Sequence, residues 1–175
     1  MTVKVIVYMH ITPNGMIARL NGSEFSSKKA RAGFLSMMKK VRVNIIGRGT
    51  FEAAVKKGGF PMEGLNIVVT KRSLKNPWKN VIVTDKKPEE ILKLVEENGY
   101  SEAMVGGGKI TTSFITANLV DEFYFDVEPV IFGRGIRLFS EENFDRKLKL
   151  LDIEQFSRNE VRLHYRVLKR TKSQQ

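Results

Sequence analysis

The sequence predicts an α/β domain: a mixed, mostly parallel sheet with helices on both faces and an antiparallel hairpin at its C-terminal edge. Three observations carry this reading. Short β-branched runs alternate with helix-like segments through the first two thirds of the chain. Two of those runs end on glycine with a helix starting at once, at Gly47 and at Gly106. From Asp121 onward the pattern changes to strands, and the last two candidates, 147–157 and 160–169, are separated only by a turn near Arg158 and Asn159.

The elements follow in order. Residues 3–11 alternate, with Val3, Val5, Val7, Met9 and Ile11 on one face and Lys4, Ile6, Tyr8 and His10 on the other. Apolar residues on both faces place this strand inside the sheet. Thr12-Pro13-Asn14-Gly15 is a turn, because proline fixes one φ and Asn-Gly tolerates positive φ. Ser26 or Ser27 caps a helix running to about Lys40, with Ala30, Phe34, Met37 and Met38 as its apolar stripe. Val43 to Ile46 is a buried strand, and Thr50 is read as the cap of a short helix, 51–57, stopped by Gly58-Gly59. Strands follow at 65–70 and 81–83. Pro88 opens a helix to about Asn98. A strand over 102–105 runs into Gly106-Gly107-Gly108, then a helix over 109–117 and a strand over 121–127. Residues 1–170 form one domain with no linker or repeat, and 171–175 form a polar tail.

Composition excludes several chemistries. Without cysteine there is no disulfide, thiolate metal site or cysteine nucleophile, and two histidines are too few for a histidine-rich metal cluster, so no metal is expected. No apolar run approaches the ~20 residues of a membrane span, and the chain opens on a strand-like segment without a leader, so a cytoplasmic protein is expected. The net charge is +11, and all of the excess lies in the first half: residues 1–80 hold 15 Lys and Arg against 3 Asp and Glu, residues 81–175 hold 15 against 16. Such asymmetry suits a phosphorylated ligand met by N-terminal elements, or a solvated basic face. Nucleic acid is disfavoured, because the basic residues carry no reading motif and no interleaved aromatic cluster.

Two places share one design. At Gly47-Arg48-Gly49-Thr50 and at Val105-Gly106-Gly107-Gly108-Lys109-Ile110, a buried strand ends in glycine and a helix begins. Amides at a helix N-terminus attract anions, and glycine lets a phosphate approach them. Arg48 and Lys109 add positive charge, and Thr50 a hydroxyl. A third place, Thr70-Lys71-Arg72-Ser73, puts two cations and two hydroxyls past the end of another strand, where a phosphate monoester could sit. At each of the three, tight-turn or solvent-exposed packing is the competing reading. Walker A, G-x-G-x-x-G and G-x-S-x-G patterns are absent.

These residues resemble a known family. Gly47-Arg48-Gly49-Thr50-Phe51-Glu52 is similar to the Gly-Arg-x-Thr-aromatic-Glu motif of dihydrofolate reductases, and Val105 to Lys109 to their second cofactor glycine motif. Thr12 to Ala18, Leu119-Val120-Asp121-Glu122-Phe123, Pro129 and Phe132-Gly133-Arg134-Gly135 resemble one branch, the RibD C-terminal reductase domain of riboflavin biosynthesis. The resemblance runs from residue 3 to about 168. It implies a three-layer dihydrofolate reductase-like fold, a homodimer, and NADPH as hydride donor. It puts Arg48, Gly49 and Thr50 at the pyrophosphate, Thr70, Lys71, Arg72 and Lys109 near the 2′-phosphate and adenosine side, and the triple glycine against the cofactor, with Ser73 of the third place a further cofactor-binding candidate. Residues 11–17 border nicotinamide and substrate. The implied substrate is 5-amino-6-(5-phosphoribosylamino)uracil or its 2,5-diamino pyrimidinone analogue, with Thr12, Asn14, Lys28 and Arg31 on the substrate side.

The sequence departs from the pattern in three places. Residues 26–40 lack the acid that a true dihydrofolate reductase carries there and hold Lys28, Lys29 and Arg31 instead; Glu24 lies just upstream. The Asp-Asp-Pro-Arg-Leu segment of the riboflavin branch is replaced by Lys57-Gly58-Gly59-Phe60-Pro61, and Asn14 stands where that branch has Asp. Asn14, His10 and Glu24 are candidates for the catalytic group by location alone, and for His10 a packed strand histidine is the favoured reading. A pterin-type or other small-molecule reductase, and a nucleotide- or RNA-binding protein without turnover, are the alternative readings.

Overall fold

A computed structural model describes residues 2–169; the expected polar tail lies outside them. An eight-stranded sheet carries the fold, built from β1 (Lys4–Ile11), β3 (Val43–Gly47), β4 (Leu65–Val69), β5 (Val81–Thr84), β6 (Glu102–Gly106), β7 (Glu122–Val127), β9 (Lys147–Gln155) and β10 (Val161–Leu168). Its order is β5-β4-β3-β6-β1-β7-β10-β9. The first six run parallel, and β10 and β9 are antiparallel, so the C-terminal hairpin closes one edge as expected.

The alternation in β1 sorts the core. Val5 and Val7 are fully buried on one face with Ile45, Ile67 and Val105, beneath Ile91 and Val95 of α3 (Pro88–Glu97) and Phe114 and Ile115 of α4 (Gly108–Thr116). Each such aliphatic side chain contributes about 1.5–3 kcal/mol through burial. The opposite face packs Ile6, Tyr8 and Met104 under Met38 and Val41 of α1 (Lys28–Val41), and Ile46 and Val68 under Phe51 of α2 (Arg48–Lys56). Helices thus cover both faces.

Ser27 caps α1, its hydroxyl accepting from the Ala30 amide at 3.1 Å, and Arg42 ends it in the left-handed region. Three expectations need correction. α2 begins at Arg48 with Gly47 as its cap residue, so Thr50 lies in the first turn and caps nothing. α4 begins at Gly108, one residue early, because Gly107 already supplies the break. A second, two-stranded sheet pairs β2 (Met16–Ala18) with β8 (Ile136–Arg137). Strands of three and two residues are too short for a periodic signal.

Candidate functional site

The carboxyl ends of β4, β3, β6, β1 and β7 all emerge on one side of the sheet, because these neighbours are parallel. The two glycine turns end adjacent strands: Ile46 lies opposite Gly106. They meet directly. A Cβ on Gly107 would lie 2.7 Å from Thr50 Oγ1, and one on Gly47 would lie 3.1 Å from Ile110 Cγ1. The Thr70–Ser73 loop follows β4, whose Val69 lies opposite Gly47. The three sequence-predicted places therefore form one contiguous strip.

The four helices differ at their amino ends in a way that marks this strip. α1 has its Ser27 cap, and α3 has Glu89 and Glu90 in its first turn, with the Glu90 carboxylate accepting from the Lys87 amide. α2 and α4 have neither a side-chain cap nor an acid in the first turn. Their orphan amides and positive dipole ends lie close together at neighbouring strand ends, an arrangement that suits an anion.

The glycines divide their roles. Gly107 has φ +90° and ψ 135°, a conformation essentially reserved for glycine. Gly108 is buried because a Cβ there would meet the Arg137 carbonyl oxygen at 2.5 Å, so its small size serves the packing of α4 on β8. Gly49 is helical and exposed, and a Cβ on it would meet nothing within 4 Å. Of the cations, Arg48 turns back to Glu52 at 2.7 Å, whereas Lys71, Arg72 and Lys109 are exposed and enter no ion pair among the described residues. Thr70 Oγ1 accepts from the Arg72 amide, which tightens that loop. Val105 is buried in the core and does not reach the strip with its side chain.

The turn after β1 sits beside this strip. Thr12 is fully buried; its hydroxyl donates to Asn14 Oδ1 at 2.7 Å and accepts from the Met16 amide at 2.9 Å. Asn14 Nδ2 donates to the Phe132 carbonyl at 3.1 Å, so both ends of that amide brace the turn. Glu24 is half exposed and bonded to Lys57 and Ser26. Burial alone would raise its carboxyl, but the hydrogen bond and charge of Lys57, with Ser26 and Arg31, hold it below its ordinary value, the wrong direction for a proton donor at neutral pH. Lys28 is exposed, and Arg31 Nη1 donates to the Ser26 carbonyl at 2.6 Å. A cationic recess of about 260 Å³ lies nearby, lined by Arg19, Leu20, Asn21, Phe132 and Arg134, with the Arg19 guanidinium 4.8 Å from the Phe132 ring centre. A larger hollow of about 510 Å³ lies at the amino end of β1, away from the glycine turns, and its acids are already matched, Glu122 with Lys4 and Asp121 with Lys169.

Sequence reasoning missed a buried polar network beneath α1. Asp126 is fully buried and holds Arg162 through two bonds, at 2.7 and 3.1 Å, and the Tyr8 hydroxyl at 2.9 Å. Arg162 also reaches Glu154 at 2.8 Å. His10 lies with Nε2 3.8 Å from Asp126; burial pushes its pKa down despite that carboxylate, so the ring is neutral at pH 7. The second missed group is Glu128, just past β7 and 2% exposed, whose carboxylate accepts from the Ser27 amide at 3.1 Å. Burial raises its pKa, with Glu160 and Asp126 adding to the shift against the Ser27 bond. A charged residue among apolar neighbours in a strand was the only available signal, since its partners are up to 118 positions away.

No helix among the described residues is long and apolar enough to cross a membrane, and they hold no cluster of three metal-ligating side chains. Comparison with known proteins agrees with this architecture. The chain is 30% identical over 171 residues to the uncharacterized protein YwjB of Bacillus subtilis (strain 168), covering 93% of this chain and 97% of that one. Its fold matches a putative riboflavin biosynthesis protein from Shewanella sp. PV-4, with a TM-score of 0.84 at 20% identity over 95% of this chain and all of that one. It also matches a Thermotoga maritima diaminohydroxyphosphoribosylaminopyrimidine deaminase/5-amino-6-(5-phosphoribosylamino)uracil reductase, with a TM-score of 0.78 at 21% identity over 95% of this chain and 57% of that two-activity protein. The dihydrofolate reductase-like fold expected from the motifs is therefore the one observed. The profile of the RibD C-terminal domain matches residues 3–161, and the chain belongs to that family.

Proposed function

We propose that the protein is an NADPH-dependent reductase acting on a phosphorylated pyrimidine intermediate, 5-amino-6-(5-phosphoribosylamino)uracil or its 2,5-diamino pyrimidinone analogue. One observation carries the cofactor part: the two uncapped helix ends of α2 and α4 meet at Thr50 and Gly107, across neighbouring strand ends. A pyrophosphate has two adjacent anionic groups, and this is a pair of adjacent amide cradles. Arg48, Gly49 and Thr50 would hold one phosphate, and Gly107 to Ile110 the other. Arg72 and Lys109, exposed and without an ion-pair partner among the described residues, suit the 2′-phosphate that distinguishes NADPH from NADH.

When bound, the dinucleotide supplies the hydride; the chain's own residues position and select. The turn braced by Thr12 and Asn14 sets the floor between cofactor and substrate. Holding reacting carbons ~3–3.5 Å apart can supply ~7–11 kcal/mol of a barrier. The expected substrate side is cationic, with Lys28 and Arg31 on α1 and Arg19 and Arg134 in the recess, and of the two carboxylates by the amino end of α1, Glu24 is held low and Glu128, whose pKa is raised, is buried. That favours a phosphate ester over the protonation chemistry of a pterin.

The test is a spectrophotometric NADPH oxidation assay run side by side with the phosphoribosylamino-pyrimidine and with dihydrofolate. Oxidation with the first and not the second is expected. Turnover of dihydrofolate would replace the substrate assignment, and NADPH binding with no turnover of either would point to a non-catalytic nucleotide-binding protein.

A further inference from the structure

The turn between β9 and β10, residues 156–160, lies against the amino end of α1. Phe156 is buried there, its ring centre 5.4 Å from the Arg162 guanidinium, and its carbonyl accepts from the Lys29 ammonium of α1. Glu160 closes the turn. Its carbonyl accepts from the Phe156 and Ser157 amides, and its Oε2 accepts from the Ser157 hydroxyl. Its Oε1 is buried and meets no donor at bonding distance; the Ser27 hydroxyl and the Glu128 carboxyl are the groups alongside. A buried acceptor left without a donor is costly.

Glu128 comes to the same place from the end of β7. It is almost fully enclosed, and its Oε1 is taken by the Ser27 amide at 3.1 Å. The other charged groups around the pair do not balance two carboxylates. α1 supplies one cation, Lys29. β7 supplies Asp126, which Arg162 of β10 already neutralises and which His10 of β1 faces. Glu24, upstream of the Ser27 cap, is held by Lys57. Two carboxyl groups in one enclosed place repel each other when both are ionised, so one keeps its proton and can donate it to the other. We infer that Glu128 and Glu160 share one proton and form a pH-sensitive clasp, which holds the 156–160 turn to the amino end of α1 while the proton is present.

The two groups are pushed apart as a shared proton requires. Burial, with Glu160 and Asp126 adding to it, holds Glu128 above its ordinary value against the Ser27 amide bond. Ser157 and Ser27, with Glu128 and Lys29, hold Glu160 below its own. As pH rises the proton leaves to solvent, and two like charges then face each other across the contact between turn and helix. Ser27 caps α1 and its amide rests on Glu128, so the loosening reaches the first turn of α1, which carries Lys28 and Arg31.

The experiment is an NMR titration of the full chain upward from pH 4.5, reading the Glu128 and Glu160 carboxyl carbons and the exchange of the Ser27, Phe156, Ser157 and Asn159 amides, corrected for the intrinsic pH dependence of exchange. Wild type, Glu128→Gln and Glu160→Gln are compared, each shown to be folded by circular dichroism. In the wild type both carboxyl carbons should respond to a common upper step above 4.5, and the four amides should lose protection through it. Glu128→Gln keeps an acceptor for Ser27 and a donor for Glu160 at every pH, so the upper step should vanish and the amides stay protected. Glu160→Gln should bring the Glu128 step down toward 4.5. Two independent steps near 4.5, amides indifferent to the upper step, or a Glu128 step unmoved by Glu160→Gln would each overturn the assignment.

Discussion

Replacing Gly49 with alanine separates a glycine kept for a ligand from one kept for the fold. Gly49 is helical, exposed, in the first turn of α2, and a Cβ there meets no atom within 4 Å. Nothing in the protein resists the methyl group. A glycine-to-alanine change at a compatible position stabilises by about 0.4–1 kcal/mol, chiefly by restricting the unfolded chain. For a domain of this size that raises Tm by roughly 1–4 °C. The same methyl group stands where the first phosphate is proposed to approach the amides. Loss of one hydrogen bond to a charged group costs about 1.5–3 kcal/mol, or ~10–150-fold in Kd. Differential scanning fluorimetry and an NADPH fluorescence titration on the same sample read both quantities. The expected result is that they move in opposite directions: Tm up, affinity down. Unchanged affinity would refute the placement of the phosphate at Gly49, and a fall in Tm would refute the packing argument.

Other changes test other parts of the account. Arg72→Ala and Lys109→Ala should weaken NADPH more than NADH in the same titration; equal losses would remove both from the 2′-phosphate. Asp126→Asn breaks the buried half of the network and leaves the Arg162 guanidinium paired only with the exposed Glu154. Breaking a buried pair costs roughly 3–5 kcal/mol, and the lower end is expected because the Arg162 side chain is 20% exposed; urea unfolding measures it, and a loss under about 1 kcal/mol, the range of a surface pair, would show that the network carries little. Glu128 is held above its unfolded value of 4.5 by burial, so its folded form binds a proton more tightly than its unfolded form. Its contribution to stability is therefore present below pH 4.5 and lost as pH rises through the raised value. Glu128→Gln keeps an acceptor for the Ser27 amide and removes the charge. The wild type should lose stability relative to this variant as pH is raised from 4.5, by denaturant titration at each pH; parallel curves would contradict the assigned shift.

Much of this molecule was legible in the sequence, and the reason is local. The alternation of Val5, Val7 against Ile6, Tyr8 states which face of β1 each side chain takes, and both clusters match it. Ser27, Pro88, Gly58 and Gly99 punctuate the chain as their conformational preferences require. The two glycine turns were legible as strand-to-helix turns, but their contact between Gly107 and Thr50 depends on the order β3-β6, which a crossover sets. Thr50 was misread as a cap because its hydroxyl is the usual signal, whereas Gly47 makes the break with no side chain at all. The Asp126 network and Glu128 were invisible for a different reason. A buried carboxylate looks like an ordinary surface residue until the fold brings Tyr8, Arg162 and Ser27 to it.

The fold also explains why both halves of the chain are needed for one site. β3 and β4, with the Thr70–Ser73 loop, bring the cationic arm; β6 and α4 bring the second cradle; and the Thr12–Gly15 turn is braced by Phe132 from beyond β7. Of the two carboxylates by the amino end of α1, neither is suited to supply a proton: Glu24 is held low by Lys57, and Glu128 is enclosed by the amino end of α1.

Backbone amide NMR of the isotope-labelled protein, titrated with NADPH, tests the central claim most directly. The largest and saturable shifts should fall together on the amides of Arg48, Gly49 and Thr50 and of Gly107 to Ile110, with a single Kd. Shifts confined to one of these turns, or centred instead on Lys4, Asp121 and Lys169 at the opposite end of the sheet, would contradict it.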